Sequence, residues 1–297
     1  MKCSYFGTDG IRGLFGGPVI NPKFAYRLGV AAGFYAKERT NPGEVCRVVV
    51  GRDTRGSGVV LEKALALGLS DAGCQVSTLG VLPTPAVSLA VINHNACIGV
   101  VITASHNPAE DNGIKFFAES GGKLTDSDEL LIERKLSDVS VDKYDENREV
   151  SVAVLSGEDD YMTKAQSILL PNSLSGWSIV LDTANGSSYK TSPLVMRALG
   201  AEVFHLGGSP DGTNINNGVG SEYPEKLSEK VRQTNARVGV AHDGDADRVV
   251  LCDEEGVILD GDEVMTILAL HALKKGELKY NTLVVTVMSN IGVRLAL

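Results

Sequence analysis

Cys97-Ile98-Gly99-Val100-Val101-Ile102-Thr103-Ala104-Ser105-His106-Asn107-Pro108 decides how the rest of this chain is read. Its first six residues are apolar without alternation, the pattern of a strand buried on both faces. Its last six are polar and end in a turn signal, Asn107-Pro108. Such a strand lies inside a sheet covered by helices on both sides. The hydroxyl of Ser105 then falls on the rim of the sheet, where open α/β folds bind ligands. No cysteine, lysine or second serine within the hexapeptide competes with it as a nucleophile.

Outward from this strand the pattern alternates. Strands are expected at Cys46–Val50, Gln75–Leu79, Cys97–Ile102, Ser178–Leu181, Glu202–Leu206 and Val238–Ala241. Helices are expected at Val59–Ala72, Pro85–Ile92, Asp126–Leu136 with Asp126 as N-cap, Tyr189–Leu199 and Pro224–Thr234. Val249–Cys252 reads as the hairpin partner of Val238–Ala241. Beyond Gly261 come a helix at Asp262–Leu273, a strand at Thr282–Val287 and the start of a helix at Ile291–Leu297. The alternation argues for mostly parallel sheets between helices.

The frame occurs twice. Leu67–Gly80 and Leu194–Gly207 share a helix–Gly–strand–Gly arrangement at an offset of 127. The strands that start at Val49 and Ile179 match at an offset of 130. In each copy a later strand ends in a polar loop, Ser105 in the first and Asp243 in the second. Duplication of one βαβ unit explains this. The chain divides as 1–145, 146–256 and 257–297, and the last part is too short to bury a core of its own.

Composition narrows the function. The 297 residues suit about two domains at roughly 150 residues each. A net charge of −9 argues against a general nucleic-acid or membrane-surface role. Five cysteines, odd in number and without C-x-x-C spacing, read as reduced core residues of a cytoplasmic protein. No signal core or membrane-spanning run is evident.

Asp243-Gly244-Asp245-Ala246-Asp247-Arg248 places three carboxylates at alternate positions with an arginine directly after. Carboxylates in that spacing can wrap a hard cation such as Mg²⁺. An EF-hand loop is the nearest alternative; Glu254 fits its twelfth position, but Arg248 stands where its glycine belongs. A solvated acidic turn and the D-x-D of an aspartyl-phosphate enzyme are two more. Lys115, between apolar residues in Gly113–Phe117, is either a strand-edge lysine or a general base near Ser105. Arg12 lies between glycines that permit close approach to a ligand. Arg52 and Arg55 follow a strand end and are expected to face an anionic substrate.

Together these segments resemble the α-D-phosphohexomutase superfamily. Phe6–Gly13 is similar to its N-terminal opening, Thr103–Pro108 to its phosphoserine loop, Asp111–Phe116 to its lysine segment and Asp243–Arg248 to its metal loop. The family usually has glycine where this chain has Ala246. Met288–Gly292, like the opening, points to the branch that handles glucosamine phosphates. The resemblance implies repeated mixed-sheet αβα domains, the third incomplete, since family members have four. It implies that Ser105 carries a phosphoryl group, gives it to a hexosamine monophosphate, and recovers one from the resulting bisphosphate. That isomerisation would feed UDP-N-acetylglucosamine and cell-wall synthesis. It implies one Mg²⁺ per chain on Ser105, Asp243, Asp245 and Asp247, with Lys115, Arg12, His106 and Arg248 as the other catalytic residues. The partners implied are the phosphorylated sugars, with no nucleic acid or membrane; a homodimer is compatible with it. Phosphomannomutase or phosphoglucomutase activity, or a truncated non-catalytic role, are the alternatives.

Overall fold

The computed structural model describes residues 3–297. In chain order the first unit comprises β1 (Ile11–Leu14), α1 (Pro22–Lys37), β2 (Arg47–Arg52), α2 (Ser57–Asp71), β3 (Gln75–Val81), α3 (Thr84–Asn93), β4 (Ile98–Ile102), β5 (Asp111–Ala118), α4 (Asp126–Ser137) and β6 (Ala153–Val154). The second comprises α5 (Gly157–Gln166), β7 (Ser178–Asp182), α6 (Thr191–Ala198), β8 (Glu202–Leu206), α7 (Glu225–Thr234), β9 (Val238–His242), β10 (Val249–Cys252) and β11 (Ile258–Leu259). Helices α8 (Gly261–Lys275) and α9 (Ile291–Ala296) follow.

The two sheets are wound alike. The first runs β1-β5-β4-β2-β3-β6 and the second β11-β10-β9-β7-β8. In both, a central strand pairs in parallel with its two neighbours, β2 with β3 and β4, and β7 with β8 and β9. In both, an antiparallel strand then closes one side, β5 on β4 and β10 on β9. The duplicated frame in the sequence is therefore a duplicated topology, with mixed rather than purely parallel sheets.

The Ile98–Ile102 strand is buried at every position, as its unbroken apolar run requires. Val48, Val50, Ile98, Val100 and Ile102 pack with α1, α2 and α4 on one face. Val49 and Val101 pack with Leu82, Val87 and Val91 on the other. This is the period-two division of a sheet with helices on both sides.

Several expectations need revision. Thr125, not Asp126, caps α4: its side chain accepts from Asp128 N, and Asp126 is the first helical residue. Helix α1 and polar helix α5 lie outside the sequence expectations. Eleven of the sixteen residues of α1 are buried. Beyond Pro22, its unburied residues Lys23, Arg27, Phe34 and Lys37 fall on one stripe, so the amphipathic pattern was present in the sequence and passed over. Its start was also written in Asn21-Pro22: the Asn21 side chain accepts from Phe24 N, and proline occupies the first turn.

The strand expected at Thr282–Val287 does not form; among the described residues no strand pairs there. Alternating apolar residues make a strand only when a neighbour supplies the ladder bonds. Val284 and Val287 instead stand exposed, as do Leu268, Leu270 and Val285. Helix α8 is well formed by its own signals, a capping box between Asp260 and Glu263 and a left-handed Gly276 at its end. It packs chiefly on α9.

Candidate active site

The site forms where the C-terminal ends of the two central sheets meet. The loop after β4 brings Ser105 and His106, and the loop between β9 and β10 brings the three aspartates. That second loop is a strand-to-strand turn with no flanking helices, which excludes the EF-hand.

Ser105 adopts φ 54°, a left-handed conformation uncommon outside glycine and asparagine. Its Oγ donates to Asp243 Oδ2 at 2.5 Å and receives Arg248 Nη2 at 2.7 Å. The Arg248 guanidinium also binds Asp243 Oδ2 through Nε at 3.1 Å and Nη2 at 2.9 Å. His106 lies at the mouth of the loop, its Nδ1 3.4 Å from Ser105 Oγ and in contact with Arg248. Ser105, His106, Asp243 and Arg248 are thus one cluster.

Lys115 extends from β5, which lies inside the first sheet between β1 and β4, so the strand-edge reading fails. Its ammonium is held by three carboxylates, Asp9 at 2.9 Å, Asp245 at 3.0 Å and Asp247 at 3.7 Å. Burial alone would lower its pKa, but the Asp245 and Asp9 charges raise it, so the amine stays protonated. Arg12, on β1, pairs with Asp9 and makes no hydrogen bond to Ser105. It reaches the site through the chain Arg12–Asp9–Lys115.

The acidic triad is gathered within 4.8 Å. Burial, and then the Asp245 charge, raise Asp243; burial and the charges of Asp245 and Asp243 push Asp247 up to about 6. Asp245 goes the other way, because Lys115 and the Thr84 hydroxyl outweigh its burial. Three carboxylates this close repel unless a cation offsets them. Asp245 Oδ1 is buried without a hydrogen-bond partner. An orphaned carboxylate oxygen inside an all-oxygen cluster fits a small, hard divalent cation.

Arg55 overturns its expected role. It is fully buried, and its guanidinium is taken up by the chain itself. Its guanidinium donates to Ser105 O at 3.0 Å, Asn107 O at 2.8 Å and Asp111 O at 2.8 Å, and also to Pro108 O. Nε binds Asp53 Oδ2 at 2.9 Å, and the same oxygen accepts from Thr103 Oγ1 at 2.6 Å. Arg55 is the scaffold of the Ser105 loop. Arg52 is likewise engaged, with Glu62 at 2.9 Å.

The two halves are joined by backbone as well as side chains. Asn216 Nδ2 donates to Ser105 O at 2.8 Å and Asn107 O at 3.0 Å. Thr84 N donates to Asp245 O at 2.9 Å. A Cβ on Gly244 would sit 2.6 Å from Ser105 O, so only glycine lets the loops approach this closely. Beside them lies a cleft of about 270 Å³, bounded by His106, Ile215, Asn216, Asn217, Glu222 and Tyr223. Sequence reasoning missed Asp9, Asp53, Thr84 and Asn216. The strand-end pair Asp53-Thr54, echoed by Asp182-Thr183, was the one available signal: each aspartate accepts from the backbone two residues on.

Two family models match in sequence order. Domain I of phosphoglucomutase/phosphomannomutase, alpha/beta/alpha, covers residues 4–142, and domain II covers 159–256. A phosphoglucosamine mutase of Clostridioides difficile is 46% identical over 297 residues, spanning 98% of this chain and 65% of that protein. One from Heliobacterium modesticaldum is 44% identical over 311 residues, spanning 98% and 67%. The chain therefore spans about two thirds of the length of these relatives. A phosphoglucomutase/phosphomannomutase family protein from Burkholderia thailandensis superposes with TM-score 0.77 at 27% identity, over 93% of this chain and 60% of that one. The phosphoglucomutase parafusin of Paramecium shares the fold, with TM-score 0.72 at 19% identity over 92% and 56%.

Two like-wound sheets in sequence order agree with the two alpha/beta/alpha domain models. The chain belongs to the phosphoglucomutase/phosphomannomutase family. Among the described residues no helix is long and apolar enough to cross a membrane.

Proposed function

We propose that this chain carries the catalytic half of a phosphoglucosamine mutase, which interconverts glucosamine 6-phosphate and glucosamine 1-phosphate through phosphorylated Ser105 and a sugar bisphosphate. One observation carries the reading: Ser105 Oγ sits between Asp243 Oδ2 and Arg248 Nη2 at 2.5 and 2.7 Å. A hydroxyl placed there is bound on one side by the metal loop and on the other by a cation that can follow charge onto the leaving oxygen.

In the forward step the sugar hydroxyl attacks the phosphorus on Ser105, and the bond from phosphorus to Ser105 Oγ breaks. Arg248 steadies Oγ as charge returns to it, and His106 holds Arg248 at the loop mouth. Lys115 is the proposed general acid and base; it accepts the proton of the reacting hydroxyl by passing its own to one of the carboxylates that hold it, and Arg12 fixes Asp9 as one of these. Mg²⁺, held by Asp243, Asp245, Asp247 and Ser105, supplies neutralisation of the transferred group's charge when bound. The remaining demand is positioning, which the buried Arg55 scaffold meets. The division 1–145, 146–256 and 257–297 belongs to this reading, with phosphoserine, metal loop and a partial third unit in turn, although β6 at Ala153–Val154 still pairs in the first sheet.

Glucosamine is favoured over mannose or glucose by the names of the relatives at 44–46% identity. The test is incubation with radiolabelled glucosamine 1,6-bisphosphate and peptide mapping. Label on Ser105 is expected; label on Asp243 or Asp245 overturns the reading. Parallel turnover assays with glucosamine 6-phosphate and mannose 6-phosphate decide the sugar.

A further inference from the structure

The opposite pole of the first sheet carries chemistry that phosphoryl transfer does not use. Cys46 and Cys74 directly precede Arg47 and Gln75, the first paired residues of parallel strands β2 and β3. Gln75 N donates to Cys46 O at 2.8 Å, so the two cysteines are cross-strand neighbours. Neighbouring strands lie about 4.8 Å apart, inside the Cα separations of roughly 4.4–6.8 Å that disulfides span. Their sulfurs are already 3.5 Å apart. Both are buried and free.

A third thiol lies beside the pair, in contact with Cys46. Cys97 precedes β4, lies 3.3 Å from Thr40 Oγ1 and is half-buried. It lines an open cavity of about 1040 Å³ together with Arg39, Thr40, Arg47 and Asp128. A small polar oxidant can reach Cys97 by this route, one contact away from Cys46.

We propose that Cys46 and Cys74 form a peroxide-oxidisable dithiol, a modification site at the pole of the first sheet opposite the Ser105 loop. The Cys46 thiolate attacks one oxygen of hydrogen peroxide, the O–O bond breaks, and a protonated hydroxide leaves as water. Cys46 is then a sulfenic acid. The Cys74 sulfur attacks the Cys46 sulfur, the S–O bond breaks, and a second water carries away the Cys74 proton. Two thiols lose two electrons in all, and one peroxide is reduced to two waters.

The environment favours this order of events. Contact with Cys74 first, and with Thr40 and Cys97 as well, lowers the Cys46 thiol against its burial, aided by the nearby Lys37 charge. Cys74 is shifted upward by the same contact and by burial. The direct thiol–thiol contact favours a thiolate on one sulfur with the proton on the other, the arrangement that attack and resolution require.

The test is peroxide treatment of the 297-residue protein, alkylation of remaining thiols, digestion and mass spectrometry. A Cys46–Cys74 linked peptide is expected, with two of the five thiols lost and both restored by dithiothreitol. The oxidised protein should also melt at a higher temperature than the reduced one. In Cys74→Ser, the Cys46 sulfenic acid should persist and be trapped by a 1,3-dione. Should that variant fail to fold, the peptide map of the unaltered chain still decides. Pairing of Cys46 with Cys97, over-oxidation without the linked peptide, or oxidation confined to Cys3 would each overturn the proposal.

Discussion

Thr84 Oγ1 donates to Asp245 Oδ2 at 2.7 Å across 161 residues of chain. Lys115 Nζ reaches the same oxygen at 3.0 Å. Both partners of Asp245 therefore come from the first unit, while Asp245 itself lies on a loop of the second. They saturate one carboxylate oxygen and leave the other, buried, without a partner. The unpartnered oxygen belongs to a carboxylate that gathers with Asp243 and Asp247 within 4.8 Å.

Asp245→Ala should accordingly lose most divalent-metal affinity. In the unaltered protein Mg²⁺ should raise the thermal midpoint, because a ligand that binds only the folded state adds RT ln(1 + [L]/Kd) to stability. Calorimetric titration and melting with and without Mg²⁺ check both halves. Equal Mg²⁺ isotherms for the two proteins would remove the aspartates from the metal site.

Arg55→Ala should destabilise the chain by about 3–5 kcal/mol, the range for breaking one partner out of a buried ion pair. Asp53 would be left in the core without its cation, and four loop carbonyls would each lose the arginine as donor. Arg55→Lys keeps the charge but cannot span those carbonyls as a planar fork. It should fold less stably than the parent and accept label on Ser105 poorly. Urea unfolding and the labelling assay read the two effects. A change below about 0.5 kcal/mol for Arg55→Ala would place the residue among ordinary surface positions.

Ala246→Gly should stabilise the protein by up to about 1 kcal/mol. Ala246 holds φ 56°, a left-handed conformation that costs an L-residue with a Cβ roughly 1–2 kcal/mol, partly offset by the greater chain entropy of glycine. Metal affinity should be unchanged, since residue 246 offers no side-chain ligand. The urea midpoint and the Mg²⁺ isotherm together test this.

Deleting residues 261–297 should leave the unfolding of the two sheets within about 0.5 kcal/mol of the parent, because α8 packs chiefly on α9. It should also lower self-association, because Leu268, Val284, Val287 and Met288 are all exposed in that segment. Sedimentation velocity and urea unfolding measure the two outcomes. A large loss of sheet stability would mean that α8 covers core the packing does not reveal.

Patterning exposed the fold more fully than the site. The inner strands of the duplicated frame are short apolar runs, its outer strands at Gln75 and Glu202 mix polar and apolar residues, and the repeated glycines mark where each helix yields to the next strand. Ser105, the aspartate triad, Lys115 and Arg248 were visible because each lies in a local motif. Arg55 was misread for a physical reason: a basic residue after a strand looks the same whether its guanidinium faces solvent or four carbonyls. Thr84, Asp9 and Asn216 carry no local signal, since their roles come from loops far apart in sequence. Thr282–Val287 shows the converse, a strand-like pattern without a neighbour to pair with.

The close approach of Gly244 to Ser105 O has a consequence for protein synthesis. Ser105 and its acceptor Asp243 are 138 residues apart. At roughly 5–20 residues per second, a ribosome needs on the order of 7–28 s to travel from one to the other. Through that interval the nascent first sheet presents a serine loop whose carboxylate partner does not yet exist. The emerging chain is thus chemically silent, and its serine acquires a carboxylate partner only when the later loop docks against it.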